Sequence, residues 1–122
     1  TTAKPEPTTV PPTTAPPTTA NPKPSVATFT RSGGTTVHCA SMADTVTLTL
    51  SWTASGGTEA WVAVGATADP RSAPYNSDPL AANGSLSDVP FPCSNAQNEY
   101  TLGIYNAAGK DTRALTLTRA IP

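Results

Sequence analysis

Helical periodicity, charge and long hydrophobic runs are all scarce in this chain of 122 residues. No window places apolar residues at i, i+3, i+4 and i+7, so the stripe a helix must bury is missing and essentially no helix is expected. The longest uninterrupted apolar run, Ala60–Val64, falls far short of the roughly 18 residues a membrane helix needs. Charged residues make up 12% of the chain, and the formal net charge is −1. With no basic stripe and no block of like charge, neither nucleic acid nor an anionic membrane surface is an expected partner.

Groups that do chemistry are equally thin. His38 is the only histidine, and with Cys39 and Cys93 it does not make a zinc ligand set. Gly33–Gly34 and Gly56–Gly57 are isolated pairs in turns rather than a phosphate cradle, and no Gly-x-Ser-x-Gly elbow supports a nucleophile. The carboxylates Asp44, Glu59, Asp69, Asp78, Asp88, Glu99 and Asp111 are scattered singly, mostly at turns, where Asp usually bonds its own backbone. Asp69 and Asp78 are the one pair a calcium ion would use, without the clustered run such a site needs. His38 and Met42 are too close in sequence for opposite axial haem positions. The expectation is therefore no enzyme, no cofactor and no metal.

What the chain does have is proline and threonine, concentrated at one end. The first 24 residues, TTAKPEPTTVPPTTAPPTTANPKP, hold eight of the fourteen prolines, eight threonines and three charged residues. Proline fixes φ and donates no hydrogen bond, and nothing apolar here offsets the entropy of ordering. Residues 1–25 are expected to form a disordered, polyproline-II-like stalk with a reach of up to about 75 Å at about 3.1 Å per residue. The same composition is found in O-glycosylated stalks and in ligands of proline-binding domains; a spacer is the reading adopted. Residues 26–122, about 97 of them, suffice for one small core and not for two domains. A start at Thr1 with no leader leads to the expectation of a fragment from a longer precursor.

Cys39 and Cys93 are the only cysteines. An even count beside a Pro/Thr-rich segment implies one disulfide and an oxidising, extracellular compartment; the alternative is two free buried thiols in a cytosolic protein.

From Val26 the pattern turns to period two. Val26–Arg31 reads as a first strand anchored by Phe29, and Gly33–Gly34 as a turn into Thr36–Cys39. In Thr45–Thr53, Val46, Leu48, Leu50 and Trp52 share one side while Thr45, Thr47, Thr49, Ser51 and Thr53 share the other, as a half-buried strand requires. Glu59–Val64 is apolar on both faces. The proline-bearing stretch Gly65–Asn83 reads as loop or weak edge strand, followed by strands over Ser85–Phe91, Asn98–Tyr105 and Thr112–Arg119, with Asn106–Asp111 as a hairpin turn. About seven short strands punctuated by Gly and Pro predict an all-β antiparallel sandwich or barrel. Asn83-Gly84-Ser85 matches the N-glycosylation pattern, though a tight turn accounts for it.

The run VTLTLSW after a cysteine, then VPFPC, YTLGIYNAAGK and a final Thr/Leu strand, resembles the small immunoglobulin-like domains of secreted actinobacterial proteins, which often end a Pro/Thr linker. It spans about 80 residues, roughly Cys39 to Arg119. The resemblance implies an immunoglobulin-like β-sandwich with Tyr100 in the place of the tyrosine corner. Leu102 stands where antibody domains carry a cysteine, so Cys39 and Cys93 would pin one end of the sandwich instead. Trp61 matches the buried tryptophan of such domains. Alternatively, Trp61, Tyr75 and Tyr105 on one outer face would form a stacking platform for sugar rings. The expected function is a non-catalytic, monomeric, extracellular module of a secreted or surface-anchored bacterial protein, contacting a protein or cell-wall partner or acting as a spacer. The alternative is a carbohydrate-binding module joined by its linker to an enzyme.

Overall fold

A computed structural model describes residues 22–122; the stalk expectation for residues 1–21 lies outside the described residues. Seven strands run in chain order: β1 (Ser25–Arg31), β2 (Thr36–His38), β3 (Thr45–Ser55), β4 (Glu59–Val64), β5 (Gly84–Pro92), β6 (Gln97–Asn106) and β7 (Gly109–Ala120). One 3₁₀ turn, Pro70–Ser72, interrupts the stretch between β4 and β5. The strands form two sheets, ordered β1-β3-β5 and β2-β7-β6-β4.

The alternation read from the sequence drives this layering. On β3, Leu48, Leu50 and Trp52 are buried while Thr45, Thr47 and Thr53 are exposed; on β6, Tyr100, Leu102 and Ile104 are fully buried against them. Phe29, Val89 and Phe91 complete the first sheet's inner face, and Val37, Val62 and Leu117 that of the second. The core is thus a single apolar layer between two pleated faces. At one end Tyr100 donates its hydroxyl to the Pro90 carbonyl at 2.7 Å. The β6–β7 hairpin is tighter than expected: Asn106 pairs with Gly109, and Asn106 Oδ1 accepts from the Ala108 and Gly109 amides.

One pair departs from the antiparallel expectation. β2 lies parallel to β7, in register from Thr36 opposite Thr118 to His38 opposite Ala120. β1 and β2 are two halves of one N-terminal run. The Gly33–Gly34 turn between them shifts the chain from the first sheet to the second without reversing its direction, so β2 runs alongside the final strand in the same direction.

The sheet edges are closed by local devices, as natural β proteins require. The backbone of β1 at Val26 is occupied by side chains of β7, with Asp111 accepting from its amide and Arg113 donating to its carbonyl. Along β4, the Ala60 amide and carbonyl pair with Leu80, the Val62 amide with Asn76 Oδ1, and the Val62 carbonyl with the Tyr75 amide. β5 carries Pro90 and Pro92, which donate nothing. β2 is three residues long.

Candidate functional site

The candidate aromatic residues lie in two places. Along β6, Thr101, Gly103 and Tyr105 point away from the core, and the segment after β4 folds over them with Pro70 buried. Gly103 is what allows this approach: a Cβ there would sit 2.8 Å from Tyr105 Cε1 and 3.0 Å from Pro70 Cγ. Tyr105 is left only 4% exposed. Its hydroxyl donates to the Asp69 carboxylate and accepts from the Arg71 amide. The Arg71 guanidinium lies 4.2 Å above its ring centroid and reaches Glu59 Oε1 at 2.7 Å.

These contacts set the electrostatics. Desolvation, then the bond to Asp69, pushes the Tyr105 phenol up to about 12, so it stays a proton donor at neutral pH. The same bond holds Asp69 below the usual carboxylate range, helped by Lys110 and Arg71 against the opposing effect of burial. The Arg71–Glu59 pair is open to water and contributes little to stability. Beside the cluster, the β6–β7 hairpin borders a shallow depression of about 330 Å³. The arrangement is a fixed polar plug over a sheet face.

Tyr75 belongs to a second depression, of about 520 Å³, between the 75–80 segment and β5. It is 43% exposed, and its hydroxyl donates to the Asp88 carbonyl at 2.7 Å. Asp88 has φ 61 at the point where β5 slips register against Leu48 and Leu50. A left-handed residue in a bulge turns this stretch of β5 toward the loop.

The three aromatics therefore do not form one platform. Trp61, opposite Gly103, shares the outward face of the four-stranded sheet with Tyr105, but Tyr105 is buried beneath Arg71 and Tyr75 lies against β5. Trp61 is half-buried and its indole N–H has no partner among the described residues; it is not the core tryptophan. That role belongs to Trp52, 2% exposed, whose indole donates to the Ala81 carbonyl at 3.0 Å. The core reading of Trp61 is thus corrected: Ala60 and Val62 take the inward positions of β4, which a strand apolar on both faces could not reveal.

The other singled-out residues fall as follows. Cys39 and Cys93 are bonded, joining the end of β2 to the end of β5 and so one sheet to the other. His38 is exposed at the end of β2. Asp69 and Asp78 line different depressions, and among the described residues no group of three or more metal-binding side chains converges. The Asn83 side chain bonds both the amide and the carbonyl of Ala54, which is a structural use of that turn. No helix among the described residues is long and apolar enough to cross a membrane. Sequence reasoning missed Asn106, Asp111 and Arg113, which bind Pro22 and Val26; Asn106 signalled only a turn. Neither a family model, a curated protein nor a solved structure matches the chain.

Proposed function

We propose that this is an immunoglobulin-like, non-catalytic module of a secreted or surface-anchored bacterial protein, carried on a Pro/Thr stalk and working as an interaction or spacer unit. The observation that carries the reading is the Cys39–Cys93 bond between the two sheets, a device suited to a small domain in an oxidising compartment. The strand order and the Tyr100–Pro90 bond support an immunoglobulin-type arrangement, with Leu50 and Leu102 packed at the centre where antibody domains place their bridge. Because β1 and β4 are bonded along their edges, β5 carries two prolines and β2 is three residues long, a partner would meet the loops and strand ends rather than add a strand.

The competing carbohydrate-binding reading loses its platform through the separation of Tyr75 from Trp61 and the burial of Tyr105. Retention on cellulose, chitin and peptidoglycan separates the two. We expect no specific retention. Retention that disappears in Trp61→Ala or Tyr75→Ala would replace this reading with sugar binding.

A further inference from the structure

The last residues of the Pro/Thr segment do not hang free of the module. Asn106 Nδ2 donates to the Pro22 carbonyl at 2.9 Å and to the Gly56 carbonyl at 2.7 Å, joining the segment to both the β6–β7 hairpin and the β3–β4 turn. The segment packs directly over Gly56, at φ 78: a Cβ there would be in van der Waals contact with it, 3.6 Å from Pro24 Cα and 3.7 Å from the Lys23 carbonyl oxygen. Pro24 is buried. The aliphatic stem of Lys23 lies over Gly109, within 3.4 Å of where a side chain would begin, while the residue itself stays exposed to water. Two residues on, Asp111 accepts from the Val26 amide at 2.8 Å and Arg113 donates to the Val26 carbonyl at 2.9 Å.

Contacts at four successive places along Pro22–Val26 hold more than one point of attachment. A single contact leaves a segment free to swivel; a row of contacts along an extended segment fixes its direction. The row also sits at a defined pole. Ser25 pairs with Ser55 and Asn106 with Gly109 at this end, whereas Cys39, Cys93 and the end of β7 lie at the other. The opposite pole carries exposed Met42 and Ile121 and the polar turn after Cys93.

We propose that Pro22–Val26 is a clasp that fixes the angle at which the stalk meets the module, so that the disulfide-closed pole faces away from the stalk. The clasp deepens the stalk-borne reading above, since it names the end of the module left open to a partner. It stands on backbone order, which retention assays do not read, so either proposal can fail alone.

The test is ¹⁵N relaxation on the full chain. The Lys23 and Ser25 amides are expected to show order parameters near the rigid-backbone value of about 0.85. Asn106→Asp keeps the oxygen that orders the hairpin and removes the donor to Pro22, and Arg113→Ala releases the Val26 carbonyl. Lys23 should fall below about 0.6 in the double variant, with the Leu102 and Leu117 amides unchanged. A Lys23 value already below about 0.6 in the unaltered chain overturns the clasp, whatever the variants do. So does a Lys23 amide that keeps its order in a double variant whose core is intact.

Discussion

The Tyr100 hydroxyl and the Pro90 carbonyl meet at 2.7 Å, tying the first half of β6 to the last residues of β5. The ring lies fully inside the core, so the hydroxyl is the one polar atom that this side chain must satisfy. Tyr100→Phe keeps the ring and strands the Pro90 carbonyl. We expect a loss of about 1–2 kcal/mol in urea unfolding, with the slope unchanged.

A second tie between these layers is covalent. Cys39 and Cys93 lie 54 residues apart in sequence, and a bond closing a loop of that length restricts the unfolded chain by about 4 kcal/mol. Thiol titration of the folded, unreduced protein should find no reactive cysteine. Cys39→Ser/Cys93→Ser should then unfold at a markedly lower urea midpoint. Equal midpoints for the two forms would show that the bond adds nothing to stability.

Much of the sandwich was legible because β3 buries one side chain in two and β6 alternates large apolar residues, Tyr100, Leu102 and Ile104, with Thr101 and Gly103, although both of its faces are covered. Val46 to Trp52 and Tyr100 to Ile104 announce their inward faces, and Glu59–Val64 matches β4 at both ends. β4 itself hid its orientation. Its outward face is covered by Pro70 and its neighbours, so both faces are apolar and periodicity had no phase to read. The parallel β2–β7 pair was also invisible, since three residues with one buried valine carry no direction. Tyr75 and Tyr105 were separated by hydrogen bonds to Asp88 and Asp69, contacts between distant parts of the chain that no local pattern encodes.

The exchange of roles between the two tryptophans gives a direct measurement. Trp52 fills the core and bonds Ala81; Trp61 lies half-buried on the outer face. Trp52→Ala should cost about 3–5 kcal/mol, the usual range for emptying a large aromatic site. Trp61→Ala should cost less than half as much, and the fluorescence remaining in Trp61→Phe should be blue-shifted. The reverse ranking would return Trp61 to the core.

Alkaline pH should weaken the fold through its tyrosines. Burial raises both Tyr100 and Tyr105 to about 12, against an ordinary value of 10.0 in the unfolded chain. Both states hold the proton below pH 10, so the stability linked to these groups is fully present there. Between about pH 10 and 12 the unfolded chain releases protons that the folded one keeps, and stability falls. Urea midpoints should therefore hold up to about pH 10 and drop above it, less steeply in Tyr100→Phe than in the unaltered chain.

The plug over the outer sheet face rests on the missing side chain of Gly103, and Gly103→Ala tests it. The added methyl would stand 2.8 Å from Tyr105 Cε1 and 3.0–3.2 Å from two ring carbons of Pro70. Neither neighbour can give easily: Tyr105 is bonded to Asp69 and the Arg71 amide, and Pro70 is buried in the 3₁₀ turn those residues frame. The turn must lift or the strand must shift, at about 1–3 kcal/mol. If the turn lifts, the Asp69–Tyr105 bond breaks with it. The Asp69 carboxyl then loses the main contact that lowers its pKa, and the Tyr105 phenol loses one of those that raise its own. Carbon-detected NMR titration of Asp69 in Gly103→Ala should therefore show its midpoint rising toward the ordinary aspartate value of 3.8, together with a lower urea midpoint. An Asp69 titration identical in the two proteins would mean that the turn holds its place without the glycine.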